Sequence, residues 1–122
     1  MHINQIIKRA HENAVDKGFY DNQDKNIGEL LMLVVSELGE ALEAHRKGTY
    51  PLYEMFQSDI DEGVDFKNTF EIHIKDTLHD ELADAVIRIC DMCGYMGIDL
   101  EKHIELKMKY NETREYKHGK KY

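Results

Sequence analysis

The chain contains no tryptophan, one proline and two cysteines among its 122 residues. With a single proline, Pro51, the chain has few helix-breaking positions, and helical periodicity dominates over the alternation typical of strands. Cys90 and Cys93 have no second cysteine pair, which argues against a structural zinc site. No βαβ pattern that would support a redox Cys-x-x-Cys is evident. Both cysteines are therefore predicted to be reduced and to pack within a helix.

Long apolar runs and an excess of positive charge are also missing. No segment approaches the roughly 20 apolar residues that span a bilayer. The formal net charge of −8 argues against a nucleic-acid-binding surface. The sequence Met-His-Ile-Asn-Gln at the start lacks the layout of a signal peptide. We expect one globular domain over residues 1–122 in the cytoplasm, with neither a membrane nor a nucleic-acid partner.

The apolar spacing predicts an all-α protein with four helices, at about residues 4–17, 26–47 and 70–94, and from after Gly97 to about 119. Asn26 and Asp99 are the predicted N-caps of the second and fourth helices. Residues 70–74 alternate between apolar and polar types and are also compatible with a short strand. Residues 48–70 are predicted to form an irregular insertion, and residues 119–122 a short basic tail.

Two acidic pairs, each spaced three residues apart, lie at the margins of the predicted packing faces. Glu37 and Glu40 form the first pair, and Glu81 and Asp84 form the second. On a helical wheel Glu37 falls inside the apolar arc of its helix and Glu40 at its edge. A glutamate in a core is costly unless it is paired or bound to a metal. Packing the two helices together would join four carboxylates, whose repulsion a cation or protons must offset.

An ordinary structural role is the alternative for these acids. They would then form surface pairs at i,i+3, or they would be partners of Arg88. The position of Glu37 within the apolar arc weighs against this alternative. Because oxygen ligands select hard cations, the four carboxylates predict a site for Mg²⁺, Mn²⁺ or Ca²⁺.

The predicted fourth helix carries a stripe of donor side chains at i, i+4, i+7 and i+11. These are Lys107, Asn111, Arg114 and His118, and Tyr110 borders them. Lysine and arginine suit phosphate oxygens, and asparagine suits a sugar hydroxyl or a base edge. The alternative is a solvated basic end that complements the helix dipole. Beside a carboxylate-bound Mg²⁺, phosphate binding is the better interpretation.

The order of these motifs resembles the MazG-type all-α nucleotide pyrophosphohydrolases. The motifs are Glu-x-x-Glu, then Glu-x-x-Asp, then an ending Lys-x-x-x-Asn-x-x-Arg followed by His118-Gly119-Lys120. The resemblance covers about residues 26–47 and 70–121. It implies a four-helix bundle completed by a homodimer or homotetramer. It also implies Mg²⁺-dependent cleavage of a nucleoside triphosphate between the α and β phosphates, which gives a nucleoside monophosphate and pyrophosphate and suits nucleotide-pool cleansing.

The resemblance also assigns roles to individual residues. It implies a metal-binding set of Glu37, Glu40, Glu81 and Asp84. It implies a substrate-binding set of Lys107, Tyr110, Asn111 and Arg114. Glu37 and Glu40 are predicted to be catalytic, with Glu40 accepting the proton of the attacking water. Without tryptophan, base stacking is expected from an aromatic residue among Phe19, Tyr20, Tyr50 and Tyr53.

Two other functions fit parts of the pattern. A di-iron or di-manganese bundle needs inward-facing Glu-x-x-His motifs, and the acidic pairs have no histidine at i+3. A non-catalytic helical module that binds a nucleotide or a partner remains the main alternative to the enzyme. The insertion at 48–70 separates the acidic pairs further than in compact family members. This difference affects the expected substrate choice more than the expected chemistry.

Overall fold

The computed structural model describes residues 1–22 and 24–122. Over these residues the chain forms six α-helices and no strand, which confirms the all-α prediction. The helices are α1 (Ile3–Asp16), α2 (Ile27–Arg46), α3 (Tyr53–Asp61), α4 (Phe66–His73), α5 (Leu78–Met96) and α6 (Leu100–Glu112). A 3₁₀ turn at Tyr116–Gly119 follows α6. No helix in the described ranges is long and apolar enough to cross a membrane.

Polar side chains set the starts of α2 and α6 at the predicted positions. The Glu29 amide donates to Asn26 Oδ1 at 3.1 Å, and the Lys102 amide donates to Asp99 Oδ1 at 3.1 Å. Each contact satisfies one of the backbone donors that a helix N-terminus leaves free. At the end of α1, Gly18 adopts φ 87°, a left-handed conformation that glycine tolerates best.

The region between α2 and α5 differs from the sequence prediction. The segment predicted to be irregular contains α3 and the beginning of α4. Asp65 Oδ2 accepts the Asn68 amide at 3.4 Å and caps α4, so residues 70–73 are helical and the alternative of a strand is wrong. Asp76, at φ 62°, separates α4 from α5, which begins at Leu78 and not near residue 70. Residues 1–22 and 24–122 therefore form six α-helices, where four were predicted.

The predicted fourth helix also ends earlier than expected. It stops at Glu112, and the hydroxyl of its C-cap Thr113 donates to the Tyr110 carbonyl at 2.6 Å. Lys117 and His118 adopt left-handed backbone conformations, at φ 55° and φ 52°. A continuous right-handed helix cannot include such residues, so α6 does not continue and the chain forms a separate turn with left-handed residues at Tyr116–Gly119.

The chain forms two compact units, and the first consists of residues 1–21 and 90–122. Within it α1 packs against α6, and the Asn4 side chain donates to Asp99 Oδ1 at 2.9 Å. Gly94 lies so close to His11 that an added Cβ would be 2.6 Å from the His11 Cβ. The buried apolar residues of this unit are Ile7, Cys90 and Cys93. Both cysteines are unpaired and lie within α5, as the sequence predicted.

The second unit consists of residues 22–89 and contains α2, α3, α4 and the first part of α5. Its α3 and α4 pack together, and the fully buried Thr69 donates to Asp59 Oδ2 at 2.9 Å. His73 Nε2 donates to the same oxygen at 2.9 Å. His73 has no metal-ligand spacing in the sequence and is predicted to be a surface residue, but its side chain is 10% exposed, so this prediction is wrong. The buried apolar residues of this unit are Ala41, Ala44, Ile74 and Ala85.

Backbone hydrogen bonds close the α3–α4 segment where it leaves α2 and where it reaches α5. The Leu78 amide donates to the Thr49 carbonyl at 3.0 Å, and the Leu52 amide donates to the His73 carbonyl at 3.1 Å. The two ends of this segment therefore lie next to each other within the second unit. Long connections normally have adjacent ends when they fold as a compact subunit of the chain.

One side of α2 leaves large apolar side chains in solvent. They recur at i, i+4, i+7 and i+11 and comprise Leu31, Val35, Leu38 and Leu42, each about half exposed. We call these four side chains the α2 apolar row. The helical spacing of the sequence places Leu33 and Leu38 in the apolar arc that should pack, but both are exposed in the structure. The buried side of α2 carries small residues, Ala41 and Ala44, together with Glu37.

Candidate functional site

Three of the four predicted metal ligands converge in the second unit. Glu37, Glu40 and Glu81 each place one carboxylate oxygen within 4.8 Å of those of the other two. Glu37 is 7% exposed and Glu81 is 4% exposed, while Glu40 faces solvent. Asp84 is partly buried one turn further along α5 and is not a member of this group. We call Glu37, Glu40 and Glu81 the carboxylate cluster.

Local backbone geometry places Glu81 in the first turn of α5. The Asp80 amide donates to Thr77 Oγ1 at 3.4 Å, and the Glu81 amide donates to the Thr77 carbonyl at 3.0 Å. The positive end of the helix dipole at this turn favours acidic side chains. On α2, the i,i+3 spacing of Glu37 and Glu40 puts both on the same side of the helix.

Arg88 supplies one positive charge to the carboxylate cluster. Its Nε donates to Glu37 Oε1 at 2.7 Å, as the structural alternative for the acidic pairs expected. Burial raises the pKa of Glu37, but the hydrogen bonds from Arg88 and with Glu40 outweigh burial and hold this pKa below its ordinary value. Glu37 is therefore ionised at neutral pH. One guanidinium offsets the charge of one carboxylate, so Arg88 does not compensate the charge of the other acids.

Glu81 has the least compensated carboxyl group of the cluster. Burial, followed by a hydrogen bond and charge repulsion from Glu40, raises its pKa from 4.5 to about 8. Its Oε2 is buried and meets no donor among the described residues. Burial, followed by the charges of Asp80 and Glu37, also raises the pKa of Asp84. In the absence of a cation, Glu81 therefore holds a proton at neutral pH.

The donor set of the cluster fits a hard divalent cation. Two oxygens on opposite sides of an ion lie about 4.2 Å apart around Mg²⁺ and about 4.8 Å apart around Ca²⁺. The oxygens of Glu37, Glu40 and Glu81 already lie within 4.8 Å of one another. At most one pair of three ligands can lie on opposite sides of an ion, and neighbouring oxygens around Mg²⁺ are about 3 Å apart, so the three side chains would close around the ion as it binds. Histidine is not among these ligands, which argues against the di-iron alternative.

The predicted substrate-binding residues gather at the end of α6 in the first unit. Lys107 Nζ lies 4.8 Å from the centre of the Tyr110 ring, and Arg114 Cζ lies 5.7 Å from it. Asn111 Oδ1 is buried and has no donor within the described part of the chain. Arg114 Nη2 approaches the His118 carbonyl at 3.5 Å. Two cations thus flank one aromatic ring, an arrangement suited to an anionic ligand, and the next residue carries an unsatisfied amide oxygen.

Sequence reasoning missed a pocket of about 670 Å³ in the second unit. Side chains of α3, α4 and α5 line it, and Asp84 forms part of its wall. Tyr53 is the one residue of the four predicted stacking candidates that contributes to this pocket, together with Phe66 and Phe70. The i,i+4 spacing of the two phenylalanines was the available signal. Because residues 48–70 were predicted to be irregular, this spacing did not indicate a helix.

Comparisons with family models, with curated proteins and with solved structures return no match. The resemblance to the MazG-type enzymes therefore stays a prediction, carried by the motifs of the sequence. The function has to be inferred from the residues of the two units and from their geometry.

Proposed function

We propose that this protein is a Mg²⁺-dependent nucleoside triphosphate pyrophosphohydrolase that releases pyrophosphate and a nucleoside monophosphate. The observation that carries the proposal is the carboxylate cluster, whose three oxygens lie within 4.8 Å of one another. The buried Oε2 of Glu81 lacks a donor. Such an atom is costly to bury, and a cation would satisfy it. Mn²⁺ offers similar coordination, and nucleotide-pool cleansing is the role that suits this reaction.

Each residue of the proposed site has a defined task. Bound Mg²⁺ would polarise the phosphate oxygens and lower the pKa of a water molecule. Glu37 and Glu81 would hold the ion, with Asp84 adding negative charge beside them. Glu40 is exposed and is not bonded to Arg88, so it is best placed to accept the proton of the attacking water.

The residues at the end of α6 are proposed to bind the nucleotide. Lys107 and Arg114 would neutralise phosphate charge, because an ammonium and a guanidinium both form strong hydrogen bonds to phosphate oxygens. The unsatisfied Asn111 Oδ1 would accept a hydrogen bond from a ligand hydroxyl or amino group. Tyr110 keeps the two cations in place by cation–π contacts.

The decisive experiment measures pyrophosphate release from a panel of canonical and modified nucleoside triphosphates, with and without Mg²⁺. Glu40→Gln should lower kcat by about a hundredfold or more, since it removes a carboxylate that acts on the reacting water. Glu43→Gln is the matched control, because this side chain is on the same helix and its contacts are ion pairs with Arg46 and Lys47. Full activity in Glu40→Gln would contradict the proposed role of the cluster.

A separate variant tests the proposed phosphate contact of Lys107. Lys107→Ala should raise KM for the triphosphate by about tenfold, since it removes one charge-assisted hydrogen bond. The Mg²⁺ concentration for half-maximal activity should stay unchanged. An unaltered KM would show that Lys107 does not bind the triphosphate.

The 2.7 Å contact between Arg88 and Glu37 favours a second candidate, a non-catalytic module that binds a nucleotide or a partner. In that case Arg88 and the proton on Glu81 would offset the acidic charge without a metal. Thermal unfolding distinguishes the two candidates. A metal centre raises Tm with increasing Mg²⁺, whereas a structural ion pair does not respond to Mg²⁺ beyond the general effect of salt.

We also propose that the protein is a homodimer or homotetramer and that the α2 apolar row forms part of the subunit contact. Apolar side chains at i, i+4, i+7 and i+11 are the pattern by which one helix packs along another. Contiguous exposed apolar surface of this kind is typical of protein interfaces.

A further inference from the structure

The pocket in the second unit has the size and lining of a small-molecule site. Its volume of about 670 Å³ falls in the range of pockets that bind drug-sized ligands. Ile74, which is buried, and Ala83 form apolar parts of its surface. The remaining lining includes aromatic rings and charged side chains, so the pocket offers both an apolar surface and groups that orient a ligand.

The aromatic rings of this pocket are held in place yet remain open to solvent. Phe66 stacks on Phe70 with ring centres 5.7 Å apart and meets Phe56 edge-to-face at 5.9 Å. Tyr53 is fixed edge-to-face against His79 at 6.3 Å. Phe66 is nevertheless 63% exposed and Tyr53 57% exposed. Orientated rings with uncovered surface are a favourable platform for a planar ligand.

The charged side chains around the pocket indicate which polar groups its ligand carries. Lys67 and Lys75 contribute positive charge to the lining, and Glu71 and Asp80 contribute negative charge. Asp84 also lines the pocket, and it lies one helical turn from Glu81 of the carboxylate cluster on α5. The pocket therefore adjoins the carboxylate cluster within the same unit. A ligand that matches all of these features has a flat aromatic ring and an anionic group that a cation at the cluster can bind.

We propose that this pocket binds the nucleobase of the substrate, stacked on Phe66 and Tyr53. The inference rests on the proposed function for its identification of the ligand as a nucleotide. Inorganic phosphate would leave the exposed rings uncovered, and a purely apolar ligand would make no use of the charged side chains of the lining. A nucleotide meets both requirements with one molecule.

Ligand-observed saturation-transfer NMR with AMP, GMP, CMP and UMP, each added separately with Mg²⁺, tests this inference on the full chain. Base protons should receive more saturation than ribose protons for at least one of them. Phe66→Ala should raise its Kd at least fivefold, which corresponds to about 1 kcal/mol and to the weaker end of base–aromatic stacking. Phe19→Ala is the matched control, since Phe19 is 65% exposed and does not line the pocket.

A second variant covers the case in which Phe66→Ala disturbs the packing of α4. Ala83→Phe adds a ring at an exposed position of α5 that lines the pocket, so it should block the base while leaving helicity by circular dichroism unchanged. Binding that is unaltered in the folded variants would overturn the inference. Absence of saturation at the base protons of all four nucleotides would do the same.

The outcome is separable from that of the proposed function. If the wild type releases no pyrophosphate from any triphosphate but both pocket variants weaken base binding, the enzyme assignment fails and the base pocket stands. If triphosphates are hydrolysed while the variants bind and react like the wild type, the base pocket is wrong and the enzyme assignment stands.

Discussion

At the scale of single residues, Glu81 is the group whose environment is most unusual. It is 4% exposed, its Oε2 meets no donor in the described ranges, and burial together with Glu40 raises its pKa to about 8. Buried carboxyls with such properties are more frequent at functional sites than elsewhere in proteins. The raised pKa of Glu81 can be measured without knowledge of a substrate.

The raised pKa of Glu81 predicts how the stability of the metal-free protein depends on pH. Between pH 4.5 and about 8, the folded state keeps a proton that the unfolded state has lost. The free energy of unfolding should therefore fall as pH rises through this range. Urea unfolding at pH 5, 6, 7 and 8 in the presence of EDTA measures the slope.

A variant and an added metal ion test whether Glu81 and a bound cation determine that slope. Glu81→Gln removes the titration and should flatten the dependence on pH. Mg²⁺ replaces the proton and should restore the stability of the wild type at pH 8. An equally steep slope in the variant would show that another group is responsible.

Thr69 provides a prediction that concerns stability alone. Its hydroxyl is fully buried and donates to Asp59 Oδ2, which His73 also contacts. Thr69→Val keeps the shape of the side chain but removes this donor, so the free energy of unfolding should fall by about 1 kcal/mol. Urea unfolding measures the change, and Ser58→Ala, at an exposed position of α3, is a suitable control. Unchanged stability in Thr69→Val would mean that the hydrogen bond contributes nothing net.

The hydrogen bond from His73, which has the largest effect, and the one from Thr69 also lower the pKa of Asp59. The contribution of Asp59 to stability is therefore present above the pKa of an unfolded aspartate, and it is lost as pH falls through the lowered value. Asp59 therefore makes the free energy of unfolding fall as pH falls in the acidic range. Glu81 makes the free energy of unfolding fall as pH rises, and it acts at higher pH.

At the scale of helices, replacing either of two glycines by alanine should have opposite effects on the free energy of unfolding. Gly94 in α5 has no room for a Cβ, which would lie 2.6 Å from the His11 Cβ, whereas Gly39 in α2 has no atom within 4 Å of that position. Gly94→Ala should lower the free energy of unfolding by about 1–3 kcal/mol. Gly39→Ala should raise it by about 0.5–1 kcal/mol, because alanine favours the helix.

Thermal or urea unfolding of both variants checks this pair, and each serves as the control of the other. Equal effects would mean that helix propensity alone decides both positions. A loss confined to Gly94→Ala would support the close approach of α1 and α5 within the first unit.

Helices with strong local signals could be predicted from the sequence. α1, α2 and the start of α6 agree with the apolar spacing and with the caps Asn26 and Asp99, because these signals act over a few residues. α3 and the beginning of α4 were missed because their stability depends on contacts such as that of Asp59 with Thr69 and His73, ten or more residues apart. Such contacts leave no periodic pattern in a short helix.

The candidate site was predictable to a similar degree. Helical spacing correctly grouped Glu37 with Glu40, and the wheel placed Glu37 on the buried side of α2. The distances between helices decided the rest, so the sequence could not show that Asp84 stays outside the group of three. The position of the pocket likewise depended on the two helices that the sequence did not reveal.

At the scale of the whole molecule, the α2 apolar row predicts association between copies of the chain. Leu38→Glu places a charge within the row and should raise the dimer dissociation constant by about a hundredfold or more, since a buried unpaired charge is costly. Size-exclusion chromatography with light scattering over a range of concentrations measures the shift. A wild-type protein that is monomeric at high concentration would contradict the proposal.

A matched variant shows whether the effect belongs to this surface. Leu106 is similarly exposed but lies on α6 in the first unit. Leu106→Glu should leave the oligomeric state as in the wild type. Equal dissociation by both variants would point to a general effect of added charge.

The adjacent ends of the α3–α4 segment make it exchangeable. Because the Thr49 carbonyl and the Leu78 amide are already 3.0 Å apart, a short linker can join α2 to α5 in place of the whole segment. The α3–α4 segment could therefore be gained, lost or replaced during evolution without a change in the helices that carry the acids. Under the proposed functions, the chemistry of the enzyme and its choice of base would then vary independently, as separate modules of one small protein.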